Sequence, residues 1–343
     1  MLEKSRHLNP INPKKTRKEL TGQEYVKGIL AGDRGILARA ITLIESRHPN
    51  HRHLAEEIIE ACLPFSGKSF RIGITGVPGV GKSSFIEAIG PKLTESNDRL
   101  AILAIDPSSE ISKGSILGDK TRMETLSSNA KVFIRPSPAS NALGGVNRNT
   151  RESIILCEAA GYNYIIIETV GVGQSEIAVH SMVDFFLLLL LPGAGDELQG
   201  IKRGIVEMAD MITINKADGD KMNGAKRAQI AYKNALHLFP AKENNWEVPV
   251  TLCSAINGSG LDEIINTMKR FELFLKKNGA FEKKREMQNQ YWLVESINES
   301  MLNDFYKHPE INKRIALFKT EVAEGRKSPF KAAEELLKIY KNK

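Results

Sequence analysis

The sequence predicts an α/β fold built on a mainly parallel sheet, and three observations predict it. Between residues 67 and about 258, short apolar stretches alternate with helical ones, the pattern of strands covered by helices on both faces. One stretch, Ser69-Phe70-Arg71-Ile72-Gly73-Ile74-Thr75, runs into Gly76-Val77-Pro78-Gly79-Val80-Gly81-Lys82-Ser83 and then into a helix start at Ser84-Phe85-Ile86. That loop fits G-x-x-x-x-G-K-[ST] in its required strand–loop–helix setting. A later apolar strand, Asp210-Met211-Ile212-Thr213-Ile214, ends in Asn215-Lys216-Ala217-Asp218, at a strand's carboxyl end, where open α/β sheets bind ligands.

The elements follow in order. Residues 1–20 are basic, carry the turn-like pairs Asn9-Pro10 and Asn12-Pro13, and read as a disordered arm. Residues 21–66 read as N-terminal helices: Tyr25, Ile29 and Leu30, then Ile36, Leu37, Ala40, Ile41 and Ile44, recur at helical spacing. Residues 67–260 form the P-loop domain. Within it Phe185 to Leu191 is too short for a membrane span and reads as a central buried strand. After Gly258-Ser259-Gly260 the chain is helical again, over 261–343. Leu261, Ile264, Ile265, Met268 and Phe271 mark one helix, and Met287, Tyr291, Val294, Ile297, Met301 and Phe305 follow a similar rhythm. Ser328-Pro329 is an N-cap with proline at the first helical position, and Phe330, Ala333, Leu336, Leu337 and Tyr340 stripe the last helix. Such stripes mean core packing or, beyond a finished nucleotide domain, self-association.

The motifs state a chemistry. The glycines of a P-loop let successive backbone N–H groups point at phosphate oxygens, and the helix dipole adds positive potential there. Lys82 is expected to reach the β- and γ-phosphates and the Ser83 hydroxyl to ligate Mg²⁺. The Asp218 carboxylate can accept from guanine N1–H and the 2-amino group; adenine offers neither donor and would leave that carboxylate unpaired. Asn215 can tie its loop to the P-loop, and the Lys216 stem can lie over the base. An isolated N-K-x-D is a weak signal, but this one follows a P-loop in the right setting. Ser254-Ala255-Ile256, after the strand Val248 to Cys253, resembles the last guanine-contact loop of GTPases.

Two further apolar strands end in carboxylates: Ile102-Leu103-Ala104-Ile105-Asp106 and Ile165-Ile166-Ile167-Glu168. The second continues into Thr169-Val170-Gly171 and resembles a Walker-B and second-switch segment with Glu168 for the usual Asp, a group that holds Mg²⁺ directly or through water. Gly171 would bring its N–H to the γ-phosphate. Asp119 lies in a polar stretch, 113–125, expected to be a mobile switch. From spacing alone, turn chemistry or helix capping is the other reading of Asp106 and Asp119. Ras-like GTPases carry a water-orienting Gln right after the switch glycine; here Val172 stands there and Gln174 comes two residues later. Slow intrinsic hydrolysis that needs help is the expectation.

From about Thr21 to the C-terminus the chain resembles the methylmalonyl-CoA mutase-associated GTPases, G-protein chaperones of adenosylcobalamin-dependent acyl-CoA mutases. The diagnostic pieces are Gly76 to Ser84, Asp106-Pro107-Ser108-Ser109, Glu168 to Glu176, Gly193 to Lys202 and Asn215 to Asp220. The resemblance implies Mg²⁺ ligation or an outer role for Asp106, Asp119 and Glu168 beside Ser83. It makes 193–202 a third switch whose Lys202 meets those carboxylates, and so implies that Lys82, Glu168 and Lys202 carry catalysis. It points to a homodimer through the C-terminal helices and to a cobalamin-dependent mutase as partner. The name of a transport-system kinase, given to some relatives, finds no phosphoacceptor site here.

Composition narrows the rest. The net charge of +7 is spread over both ends with no basic stripe and interleaved aromatics, which argues against nucleic acid; no secretory or membrane segment is evident. Three isolated cysteines, Cys62, Cys157 and Cys253, suit a reducing cytoplasm and core packing. The reading is a cytoplasmic GTPase with Mg²⁺ and GTP or GDP as its ligands. Its rivals are an ATP-dependent small-molecule kinase, which Asp218 opposes, and a metal-insertion GTPase, for which the seven histidines and three cysteines form no suitable cluster.

Overall fold

The computed structural model describes residues 20–46, 48–106, 123–138, 145–169, 175–193, 203–242 and 244–341. Seven strands form one sheet: β1 (Phe70–Gly76), β2 (Leu100–Asp106), β3 (Val132–Pro138), β4 (Tyr164–Thr169), β5 (Phe185–Leu190), β6 (Met211–Ile214) and β7 (Val250–Leu252). Their order is β3-β2-β4-β1-β5-β6-β7, and every pairing is parallel, so the sheet is wholly rather than mainly parallel. Parallel strands buried on both faces read as continuous apolar runs. Phe185-Phe186-Leu187-Leu188-Leu189-Leu190 is such a run, and every residue of β5 is buried.

The helices are α1 (Gly22–Leu30), α2 (Arg34–Glu45), α3 (Pro49–Cys62), α4 (Lys82–Leu93), α5 (Glu124–Ser128), α6 (Gly145–Ala159) and α7 (Ser175–His180). They continue with α8 (Arg203–Met208), α9 (Met222–Leu236), α10 (Leu261–Lys277), α11 (Ala280–Lys307), α12 (Pro309–Ala323) and α13 (Pro329–Lys341). α1 starts at a capping box, in which the Thr21 hydroxyl accepts from Glu24 N–H and the Glu24 carboxylate accepts from Thr21 N–H. Tyr25, Ile29, Leu37, Ala40, Ile41 and Ile44 are buried in one core with Ile154 and Cys157 of α6, so the N-terminal helices thicken one face of the sheet.

α10 covers the other face. Leu261, Ile264, Ile265, Met268 and Phe271 are buried with Phe70, Ile72 and Phe185, and the Phe271 ring meets Phe185 at 5.1 Å and Trp246 at 4.9 Å between centroids. Its stripe is buried with residues of β1 and β5, so it continues the core of the sheet past residue 260. α11 then crosses beneath the amino ends of the strands. Phe281 packs with the α10 core, while Trp292 packs on the opposite one.

A buried ion network fixes that crossing. Arg71 on β1 holds Glu158 of α6 through two bonds of 2.9 Å. Arg285 of α11 grips the Asp184 carboxylate at 2.5 and 2.6 Å and donates to Ser69 O at 2.8 Å. Burial alone would raise the Glu158 pKa; Arg71, Arg285 and the Ser69 hydroxyl overcome it and hold the carboxyl below its ordinary value. α12 and α13 form a small core of their own around Ile311, Phe318, Ala332 and Leu336. The expected stripe of α13 divides: Leu336 is buried, whereas Phe330 is 87% and Leu337 47% exposed, because the packed face runs through Ala332, Leu336 and Tyr340 instead.

Candidate functional site

The carboxyl ends of β1, β4, β5 and β6 converge where the two motifs meet. β1 delivers the phosphate loop. Gly76 has φ +152°, and a Cβ there would lie 2.4 Å from the Leu189 carbonyl oxygen of neighbouring β5. Gly81 has φ +92° and is the N-cap of α4, with Phe85 N–H donating to its carbonyl at 2.8 Å. Any larger residue would strain that turn, and its Cβ would press on the Asn215 amide at 3.0 Å. α4 begins without a side-chain cap, which leaves its first N–H groups as the donors an anion uses.

Lys82 is 9% exposed. Its ammonium donates to Gly76 O at 2.7 Å and to Val77 O at 3.4 Å. Burial lowers its pKa, against the opposing pull of the Glu168 and Glu176 carboxylates. The Ser83 hydroxyl donates to Glu168 Oε1 at 3.0 Å, so the first residue past the lysine and the end of β4 already touch. Beside them the Thr169 hydroxyl donates to Thr75 Oγ1 at 3.1 Å, tying the ends of β4 and β1. The pairing of β2 with β4 sets Ala104 opposite Glu168 and Ile105 opposite Thr169, so Asp106 ends β2 on the same edge.

The second motif closes over the first. Asn215, 1% exposed, donates through Nδ2 to Val80 O at 2.8 Å and accepts at Oδ1 from Ala255 N–H at 3.2 Å. Cys253 Sγ–H also donates to that oxygen, at 3.4 Å. Lys216, at φ +58°, stretches its ammonium to Gly79 O at 2.7 Å. The Ser254 hydroxyl donates to Asp218 Oδ2. Phosphate loop, Asn215–Asp218 loop and Ser254–Ala255 turn are one bonded unit. Ile256, the third residue of that turn, is 86% exposed.

The chain belongs to the methylmalonyl-CoA mutase-associated GTPases. The family model described as "Methylmalonyl Co-A mutase-associated GTPase MeaB" matches residues 37–310. The mouse protein named methylmalonic aciduria type A homolog, mitochondrial, is 48% identical over 326 residues, covering 92% of this chain and 79% of its own. GTPase ArgK of Escherichia coli is 44% identical over 295 residues, covering 86% and 89%. A crystal structure titled as a LAO/AO transport system kinase superposes with a TM-score of 0.75 at 35% identity, over 94% of this chain and 99% of that one. The family carries the GTPase activity with it, and the resemblance drawn from the motifs holds.

Several expected site residues lie outside the described residues: Asp119, Lys202 and the rest of 194–202, Gly171, Val172 and Gln174, and the side chain of Asp106. The structure also brings in residues to which the motifs gave no role of their own. Glu176 on α7 is 4% exposed, and its charge opposes the burial that lowers the Lys82 pKa. Thr75, Thr169 and Cys253 become visible only through strand register, which no local motif carries. Among the described residues, no helix is long and apolar enough to cross a membrane, and no group of three His, Cys, Asp or Glu side chains could hold a metal by itself.

Proposed function

We propose that this GTPase serves an adenosylcobalamin-dependent acyl-CoA mutase of the methylmalonyl-CoA mutase kind, gating the loading of its cofactor and protecting it. The observation that carries this reading is the match to a mutase-associated family over residues 37–310. The site geometry supports its nucleotide half. GTP would take the loop N–H groups and draw Lys82 from the Gly76 carbonyl onto its β- and γ-phosphates. Asp218, steadied by Ser254, would accept from the guanine edge, while Lys216, bridged to Gly79, would lie along the base.

Ser83 and Glu168 suit Mg²⁺, being a hydroxyl and a carboxylate already 3.0 Å apart on two rigid elements. Ser83 and Glu168 would hold Mg²⁺ there, and the bound ion would supply positive charge beside the phosphates. Asp106, Asp119 and Lys202 would complete that environment, with 193–202 as the third switch that meets the client. With Val172 in the water-orienting position, turnover alone is slow and the mutase accelerates it.

The same reading makes the protein a homodimer through α11 to α13. Leu293, Val294 and Met301 are 63%, 54% and 62% exposed, a concentration of apolar surface that a second copy would cover. It would work in the cytoplasm beside the mutase, a setting that suits three free, buried cysteines. Affinity capture of the tagged full-length chain from its native host tests the partner. A cobalamin-dependent acyl-CoA mutase should co-purify in at least one nucleotide state. Its absence in both GDP and GTP-analogue preparations would overturn the assignment.

A further inference from the structure

The side chains that open and close the base-reading motif are held from outside it. Cys253 follows β7 and is bonded to the segment 214–217 at three points. Its N–H donates to Ile214 O at 2.9 Å, its carbonyl accepts from Ala217 N–H at 2.9 Å, and its thiol donates to Asn215 Oδ1 at 3.4 Å. The residue is 1% exposed, and burial pushes the thiol pKa up to about 12. The proton that makes this bond therefore stays on sulfur near neutral pH. With Val80 O accepting from Nδ2 and Ala255 N–H sharing Oδ1, the Asn215 amide is fixed at both ends.

The turn after Cys253 is held by its own closure and by α10. Ser254 N–H donates to Ser259 O at 3.0 Å and Gly258 N–H to Ser254 O at 2.9 Å, while the Ser254 hydroxyl reaches Asp218. Gly260 then starts α10 as its N-cap, at φ +77°. A Cβ on Gly260 would lie 2.1 Å from Leu252 O and 3.1 Å from Cys253 Cα. Both are backbone atoms, so a side chain there must push the end of β7 away from α10, or α10 away from the sheet whose core it shares. Gly258 has the same φ of +77°, yet a Cβ there would meet nothing within 4 Å. Two glycines of one turn thus meet different demands: conformation alone at Gly258, conformation and close approach at Gly260.

We propose that Cys253 and Gly260 are positioning residues for guanine recognition. Cys253 orients the Asn215 amide that couples the base motif to the phosphate loop. Gly260 seats the turn that brings the Ser254 hydroxyl to Asp218. Both act behind the side chains that read the base, and selectivity depends on them because a free carboxylate rotates and a held one does not. The proposal rests on the guanine-nucleotide reading of the site and adds to it the two residues that keep its donors and acceptors aimed.

Asparagine tolerates positive φ, so Gly258→Asn and Gly260→Asn in the full-length chain carry similar backbone strain and differ in the contact with Leu252 O. Calorimetry with GDP and with IDP, whose base lacks the 2-amino group, reads the hold on Asp218. Gly260→Asn should weaken GDP binding about tenfold, the factor for one charge-assisted bond, and cut the preference for GDP over IDP. Gly258→Asn should keep both. Cys253→Ala should weaken GDP binding about threefold, and Cys253→Ser, which restores a donor, should recover it. Wild-type affinity and base preference in a folded Gly260→Asn, or wild-type affinity in Cys253→Ala, would overturn the proposal. Equal losses in Cys253→Ala and Cys253→Ser would overturn it too, since packing alone would explain them. The cysteine pair decides by itself should Gly260→Asn fail to fold. Failure of the wild-type chain to bind any guanine nucleotide would instead strike the site reading on which the proposal rests.

Discussion

The Asn215 amide is bonded to the Val80 carbonyl across 2.8 Å, although 135 positions separate the two residues in sequence. The bond joins the residue that opens the base-reading motif to the middle of the phosphate loop. Base recognition and phosphate recognition are thus held at a fixed spacing before any ligand arrives, which is the preorganisation that makes a selective site.

Asp218→Asn should weaken GTP binding and favour xanthine nucleotides, whose 2-position carries a carbonyl in place of the amino group. Each charge-assisted hydrogen bond lost costs on the order of 1.5–3 kcal/mol. Calorimetry with GTP, GDP and XTP checks this. Unchanged GTP affinity would mean that Asp218 does not read the base.

Two buried arginines should respond oppositely to the same substitution. Arg71→Met leaves the buried Glu158 carboxylate with Ser69, Gly67 N–H and the more distant Arg285 as its partners, and should cost about 3 kcal/mol. Arg151 is 4% exposed and, among the described residues, has no hydrogen-bond partner for any of its three guanidinium nitrogens; it rests against Trp292 at 5.2 Å, with Glu299 only close enough to act through its charge. Arg151→Met should cost under about 1 kcal/mol or stabilise the fold. Urea unfolding of both variants ranks them, and the reverse order would contradict the network drawn here.

Acid should weaken the fold through His180 before it reaches the carboxylates. Burial, with Lys284 and Lys242 nearby and only Asp210 opposing, pushes the His180 pKa from 6.5 down to about 4. Above about pH 6.5 the ring is neutral folded or unfolded, and its contribution is complete. As pH falls from there toward 4, the unfolded chain takes up a proton that the folded chain refuses, and stability declines. Thermal unfolding between pH 7 and 4.5 should show that decline in wild type and a flatter profile in His180→Gln. Parallel profiles would remove His180 from the account.

Charging the exposed apolar face of α11 should separate the dimer without touching the nucleotide site. Val294→Lys with Met301→Lys is expected to give a monomer by light scattering at micromolar concentration, with GDP affinity retained. A wild-type chain that is already monomeric there would end the dimer proposal. Truncation after Gly260 is a poor substitute, because it removes Phe271 and Met268 from the core beneath β1 and β5.

The parts of this protein that were legible in its sequence are those with a local code. The P-loop glycines, the Asn215–Asp218 motif and the unbroken run of β5 state their structure in adjacent residues. What was not legible depends on distant pairs. Arg285 is one basic residue among many in a Lys/Arg-rich helix until Asp184 and Glu158 are seen around it. Glu176 is one acid in a motif until the fold buries it. The α10 stripe looked the same as that of α11, because periodicity reports an apolar face and not what covers it.

The central claim is that the nucleotide cycle of this GTPase is tied to a cobalamin-dependent mutase. GTP turnover of the full-length chain, measured with and without the adenosylcobalamin-dependent acyl-CoA mutase of the same organism, tests it most directly. Slow turnover alone and a large rise on adding the mutase, with cofactor loading that depends on GTP hydrolysis, is the result expected. Turnover that is already fast, or that no such mutase alters, would contradict the claim.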